Sequence, residues 1–356
     1  MSVLPKRRLG ETPLRVSTLG FGGAPLGGFR SDVDDRESDA TMNAALQRGI
    51  TYFDTAPLYG YGRSEHRLGR VLRNLPRDDF VLSTKVGRYL KPLRQGEDAS
   101  DLRSGGLPFR PVFDYSYDGT MRAYEQSVAR LGLSRIDILL IHDVAPDTHG
   151  KDTEAQRRFE ECLKGAVPAL TELRKAGDIK AFGVGLNDTE WCVRFIENAD
   201  VDCVMAASGY TLLDQTALDH LLPACASRNI SLLIGGPYNS GILATGPVPT
   251  ALYRYQQAPQ EIITRTGRIQ AVCSSHGVAL QAAALQFALG HPSVCSVVAG
   301  ASKKERVEAN IAHMTREIPH RLWDDLKLEG LMDARCPTPS GAVAAAAAQP
   351  IEGHIS

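Results

Sequence analysis

The chain has 356 residues, 43% hydrophobic and 23% charged, with a formal net charge of −1. That balance offers no basic field for nucleic acid or for an anionic membrane surface, and no apolar run reaches the roughly 20 residues that a bilayer span requires. The start, MSVLPKRRLGETPLRV, carries basic residues with no apolar core behind them; it does not read as a secretory signal, and a cytoplasmic protein is expected.

In chain order, short apolar runs alternate with amphipathic stretches. VSTLGFG (16–22) comes first. Met42, Ala45 and Leu46 then share one helical face, with Gly49 placed as a C-terminal cap. GITYFDTA (49–56) follows, and Ser64 is the candidate N-cap of a helix carrying Leu68, Val71 and Leu72. After FVLSTKVG (80–87) comes a long polar insertion, residues 88–116, of the kind that shapes a pocket. Asp118 is placed as the cap of a helix bearing Met121, Tyr124, Val128 and Leu131. IDILLIHD (136–143) precedes a helix with Leu170 and Leu173 that stops at Gly177. IKAFGVGLN (179–187), DCVMAAS (202–208), SLLIGGP (231–237) and CSVVAG (295–300) complete the apolar set, with helices predicted over 188–199, 216–229, 261–276 and 278–290. The C-terminal CPTPSGAVAAAAAQP has no core face, so 336–356 is expected to be a disordered tail.

Each apolar run is short and almost continuously apolar, as parallel strands covered by helices are. Eight such runs alternating with helices predict a closed (β/α)8 barrel, a single domain over 1–335. An open dinucleotide-binding sheet would carry G-x-G-x-x-G. After Gly20 and Gly22 the third glycine position is Pro25, and after Gly183 and Gly185 it is Asp188. The seven cysteines are scattered without a C-x-x-C and read as reduced apolar fillers; no spacing supports a metal site.

A barrel of this kind works at the C-terminal ends of its strands. Four polar residues stand there that a core does not need: Asp54, Tyr59 in the following loop, Lys85 and His142. Singly, each has an ordinary reading: a turn aspartate, a loop tyrosine, a snorkelling lysine, a structural histidine. Together they form a constellation. Lysine and aspartate should pair across adjacent strands. An ammonium near a phenol should lower the pKa of Tyr59, and such a phenol exchanges protons near neutral pH. A neutral imidazole can orient the same substrate oxygen. With no nucleophile, metal or paired carboxylate, this set suits proton transfer at oxygen coupled to hydride transfer with a nicotinamide cofactor.

FDTAPLYGYGRSEHRLG (53–69), STKVG (83–87), LGLSRIDILLIHD (131–143), GVGLN (183–187) and GASKKERVEAN (300–310) resemble, in order, the blocks of the aldo-keto reductase family. The resemblance covers roughly residues 7 to 330. It implies a barrel with a short N-terminal β-hairpin and an extended NAD or NADP bound without a Rossmann fold. It carries catalytic roles to Asp54, Tyr59, Lys85 and His142. It carries cofactor contacts to Gly23, Ala24, Asp54, Asn187, Pro237, Tyr238, Ser240, Gly241, Gly300, Ser302, Lys303, Arg306 and Asn310. Gly300 stands where many NADPH-dependent members have a lysine, Gly235 where a tyrosine usually stacks on the nicotinamide, and Ala207 where a glutamine usually lies. The choice between NAD and NADP stays open, and Arg306 could hold a 2′-phosphate.

GYTLLDQ, IGGPYNSGILATG and the IHD ending of the fourth run are similar to the branch that oxidises aldoses or pyridoxal. The function this implies is oxidation of the hemiacetal carbon of an aldose, of the L-fucose or D-threo-aldose type, to a lactone. Tyr59 and His142 would meet the substrate, with Asp143 and Trp191 as sugar contacts. Pyridoxal oxidation and general NADPH-dependent carbonyl reduction are the alternatives, with a cofactor-sensing binding subunit as the non-enzymatic one. The partner is a small hemiacetal or carbonyl compound rather than nucleic acid or membrane. The oligomeric state is not legible.

Overall fold

The computed structural model describes residues 4–28, 33–97 and 105–339. Eight parallel strands close into a barrel: β1 (Leu19–Gly22), β2 (Tyr52–Asp54), β3 (Val81–Val86), β4 (Ile138–His142), β5 (Ala181–Leu186), β6 (Cys203–Ala206), β7 (Ser231–Gly235) and β8 (Val294–Gly300). Each strand pairs with the next in sequence, and β8 returns to β1 through Val297↔Leu19. All eight predicted runs supply a barrel strand. The first is shared: Val16 and Ser17 belong to an N-terminal hairpin, Lys6–Arg8 against Arg15–Ser17, before β1 begins. That hairpin closes the lower end, with Arg7 donating to the carbonyls of Leu289 and Val294.

Strand periodicity decides which residues enter the lumen, because successive side chains point to opposite faces. Tyr52, Val81, Ile138, Leu140, Ala181, Cys203, Met205, Leu233, Cys295 and Val298 form one inner cluster. Phe53, Leu82, Leu139, Ile141, Phe182 and Val184 belong to the larger cluster shared with the helices. Continuing the inner register by two residues on β2 and β4, and by four on β3, brings Asp54, Lys85 and His142 to the upper layer of the lumen. The same layer on β5 to β7 carries Gly185, Ala207 and Gly235, which leave that side open.

Several helix starts differ from expectation. The second helix, Arg63–Leu72, is entered through left-handed Gly62; Ser64 lies inside its first turn and donates to the Gly23 carbonyl instead. The helix Tyr117–Leu131 is capped by Ser116, whose hydroxyl accepts from the Gly119 amide, rather than by Asp118. The predicted 216–229 helix is a single 3-10 turn, Thr216–Leu218, followed by Leu221–Ser227. Helices Asp152–Lys164 and His320–Leu328 were not foreseen, and the helix Lys304–Thr315 begins at the basic pair Lys303–Lys304. In the insertion, Arg88–Pro92 pairs antiparallel with Phe109–Phe113. Cys336 is buried against the core, and residues 340–356, which hold most of the expected tail, lie outside the described residues. All seven cysteines are free and buried.

Candidate active site

Asp54 and Lys85 are 3% and 2% exposed and form a two-point ion pair: Lys85 Nζ lies 2.8 Å from each carboxylate oxygen. The third ammonium proton is available to the Thr55 carbonyl, also 2.8 Å away. Ser83, opposite Asp54 in the β2–β3 register, donates to Asp54 Oδ1 at 2.6 Å. A hydroxyl has one proton to give, so the 2.9 Å contact of Ser83 with Tyr52 has the phenol as donor. Such a pair holds its charges in a low-dielectric site because all three ammonium protons are used and both carboxylate oxygens accept.

Tyr59 sits above this pair. Three consecutive left-handed residues, Gly60, Tyr61 and Gly62, turn the loop after β2. A Cβ at Gly60 would lie 2.1 Å from the Gly27 carbonyl oxygen, so the turn requires glycine. Lys85 Nζ is 5.2 Å from the centre of the Tyr59 ring, and the His142 ring stands edge-on at 6.2 Å. Among the described residues the Tyr59 hydroxyl has no hydrogen-bond partner. Burial, and then Asp54, Asp143 and Tyr255, push its pKa well above the usual 10. The expected lowering by Lys85 is therefore not met. The ammonium is saturated by Asp54 and Thr55 and makes no hydrogen bond to the hydroxyl. Tyr61 is buried against Gly106 and plays a packing part.

The fourth member is held by a residue that sequence reasoning missed. Arg88, the first residue of the inserted hairpin, is 7% exposed. Its Nη1 lies 3.1 Å from His142 Nδ1 and its Nη2 donates to Asp143 Oδ2 at 2.7 Å. Its guanidinium stacks on Phe113 at 4.3 Å, the residue opposite it in the hairpin. Burial raises the Asp143 pKa, but His142, Arg88 and Lys85 outweigh it and hold the carboxyl below its ordinary value. The only sequence signal for Arg88 was a lone base directly after Lys85-Val86-Gly87.

Above these groups opens a cavity of about 1390 Å³, lined by Tyr59, Lys85, Arg88, His142, Asp143 and Asn187, among others. Trp191 does not line it. The indole is buried between Phe159 and Arg194 in the helix layer, so the expected sugar contact is withdrawn. Asn187 donates to Asp147 Oδ2 at 2.8 Å. Ala24 lines the cavity, whereas Gly23 is buried with its amide on the Asp54 carbonyl.

The remaining expected cofactor residues form a separate band after β7 and β8, outside the lining of this cavity. Tyr238 joins the two loops by donating to Asn310 Oδ1 at 2.8 Å. Ser240 accepts from the Tyr255 amide, and Pro237 is buried beside it. Gly241 is left-handed with open space where a Cβ would point. Ser302 accepts through its carbonyl from Thr41, and Lys303 is 3.8 Å from Glu37. Arg306 is exposed and its side chain has no ion pair among the described residues. A Cβ at Gly300 would press on the Pro25 ring at 3.0 Å, so this position resists a larger residue.

The Aldo/keto reductase family matches residues 18–327. The chain belongs to the aldo/keto reductase family. A pyridoxal 4-dehydrogenase from Microbacterium luteolum is 43% identical over 336 residues, covering 92% of this chain and 98% of that protein. A D-threo-aldose 1-dehydrogenase from a Pseudomonas species is 39% identical over 318 residues, covering 88% and 94%. The solved holo form of an aldo-keto reductase from Bacillus halodurans superposes with a TM-score of 0.71 at 25% identity, covering 93% and 97%. This aldo/keto reductase is thus an NAD(P)-dependent oxidoreductase of small carbonyl or sugar compounds. No single helix among its described residues is long and apolar enough to cross a membrane.

The residues present fit a nicotinamide dinucleotide. Gly236, Asn239, Ser240 and Gly241 are all left-handed, and the amides of Asn239 and Gly241 donate within the turn to the carbonyls of Gly236 and Tyr238, which fixes the shape of this loop. Asn239 is 5% exposed, and its side chain makes no hydrogen bond among the described residues. A buried amide without a partner is costly unless a ligand completes it. Gly185, Ala207 and Gly235 leave room in the lumen for a flat ring.

Proposed function

We propose that this reductase oxidises the hemiacetal carbon of a cyclised aldose, of the L-fucose or D-threo-aldose type, to the lactone. The observation that carries this reading is the saturated Asp54–Lys85 pair beneath Tyr59, with His142 and Asp143 beside it. Tyr59 takes the proton of the anomeric hydroxyl. His142 donates to the same oxygen and holds it in place. Asp143, kept ionised, accepts from a neighbouring sugar hydroxyl. Asp54 and Lys85 keep the floor of the site charged, balanced and fixed. Bound NAD(P)+ supplies the hydride acceptor, held through Asn187, the 237–241 loop and the 300–310 segment.

A second reading is pyridoxal oxidation, favoured by the 43% identity to a pyridoxal 4-dehydrogenase. Pyridoxal also closes to a cyclic hemiacetal, so the proton chemistry at Tyr59 is the same. Purified protein offered L-fucose, D-arabinose, L-galactose or pyridoxal, each with NAD+ and NADP+, should build up reduced-nicotinamide absorbance. Turnover with pyridoxal alone selects the second reading. Silence on the whole panel overturns both.

A further inference from the structure

Gly87, directly after β3, is left-handed, and a Cβ there would lie 2.3 Å from the Tyr115 ring. That forced turn swings Arg88 across the mouth to His142. Facing the imidazole are Arg88 from the hairpin, Lys85 from β3, Tyr59 from the loop after β2 and Asp143 on its own loop. Behind its backbone, Tyr115 donates to the His142 carbonyl at 2.8 Å and lies 3.4 Å from His149 Nε2.

A guanidinium has only donors and does not lose its proton in proteins. The nitrogen it meets, Nδ1, must therefore be the acceptor. The proton of His142 then resides on Nε2, which lies 3.5 Å from Asp143 Oδ1. The other arm of the guanidinium fork holds Asp143, whose backbone is itself left-handed. Lys85 is paired with Asp54, so Arg88, the cation in contact with the ring nitrogen, opposes the pull of Asp143 on a second imidazole proton.

We propose that Arg88 is a positioning residue of the reaction: it fixes His142 as the neutral Nε2–H donor to the substrate oxygen and, with the same fork, aims Asp143 at the substrate. The inserted hairpin is thereby tied to the reacting groups, because Arg88 is its first residue and Phe113 its stacking partner. This rests on the reading of Tyr59 and His142 given above.

The test is long-range proton–nitrogen NMR of the histidine side chains, with His142 assigned by its loss in His142→Gln. In the wild type, His142 should show the Nε2–H signature and stay neutral between about pH 5 and 8, where an ordinary histidine titrates. In Arg88→Met it should take a second proton inside that window, as Asp143 is left unopposed. Arg88→Lys keeps the charge and gives up the fork, which also covers the case in which Arg88→Met does not fold. It should lower kcat about 10- to 100-fold, less than the roughly 10²–10³ lost when such a donor is removed outright, with little change in cofactor KM. A wild-type His142 protonated on Nδ1, or wild-type kcat and titration in both variants, overturns the proposal. Tyr59→Phe is assayed alongside. Full turnover there refutes the reading of the site itself, while the histidine spectra still report on Arg88.

Discussion

The two sides of the barrel mouth are built on opposite plans. On β2 to β4, Asp54, Lys85 and His142 are buried and bound to protein neighbours over distances of 2.6 to 3.1 Å. After β7 and β8, Lys303 and Arg306 stand exposed, and the buried Asn239 side chain has no hydrogen-bond partner among the described residues. The first side is finished without a ligand, and the second is shaped to be finished by one. Substitutions on the first side should therefore alter chemistry and stability together. Those on the second should alter binding alone.

The largest expected effect is at Tyr59, whose hydroxyl has no hydrogen-bond partner among the described residues. Tyr59→Phe keeps the ring against Lys85 and His142 and removes only the hydroxyl. Turnover should fall by roughly 10²–10⁴, the usual contribution of a positioned acid or base. Dinucleotide binding, followed by fluorescence titration, should be unchanged. A parallel loss of binding would erase the distinction between the two sides.

Next is the ion pair. Lys85→Met strands the Asp54 carboxylate in a site that is 3% exposed. Breaking a buried pair in this way costs about 3–5 kcal/mol, readable as a lower midpoint in urea unfolding. Adding Asp54→Leu should restore much of that stability and none of the activity. If the single variant is as stable as the wild type, the pair is not what holds this side rigid.

A third test is the pH dependence. Burial holds the Tyr59 phenol well above pKa 10, so its protonated form is the favoured one. As a proton acceptor in oxidation it should work better as pH rises, with no plateau in kcat/KM below about pH 10. As a proton donor in reduction it should be insensitive over the same range. The linked stability runs opposite to the oxidation rate: it is fully present below the unfolded value near 10 and lost as pH rises through the higher folded value. A plateau near neutrality would mean that the phenol is tuned down in the working complex.

What the sequence disclosed follows the same division. The eight strands were legible because doubly buried strands are nearly continuous apolar runs. Asp54, Lys85 and His142 stood out as charged or polar residues ending such runs. Tyr59 was legible from the glycines that turn its loop. Arg88 was not, because its role depends on a hairpin crossing the mouth, and a base in a polar insertion looks like any surface arginine. Trp191 misled because its position after Asn187 placed it near the mouth in sequence, while its helix turns the indole toward Phe159. The caps at Ser64 and Asp118 were misread for a local reason. Ser64 has the Gly23 carbonyl to bond across the mouth, and Ser116 reaches the Gly119 amide first.

The smallest effect belongs to the second side and bears on NAD against NADP. Gly300 has no side chain to offer a 2′-phosphate, and Pro25 limits what could replace it. Lys303 already lies 3.8 Å from Glu37, in a weak exposed pair. Arg306, like Lys304, has no protein partner among the described residues, and of the two only its guanidinium fork can hold a phosphate at two points. A charge-assisted contact of this sort contributes about 1.5–3 kcal/mol; exposure to solvent and salt reduces that. Arg306→Ala should therefore raise KM for NADP+ by about 10-fold and leave KM for NAD+ and kcat with either cofactor unchanged. Equal losses with both cofactors would assign Arg306 to the pyrophosphate or to the helix, not to the discriminating phosphate. No change with either would leave Lys303 as the candidate, and Lys303→Ala would then carry the NADP+-specific loss.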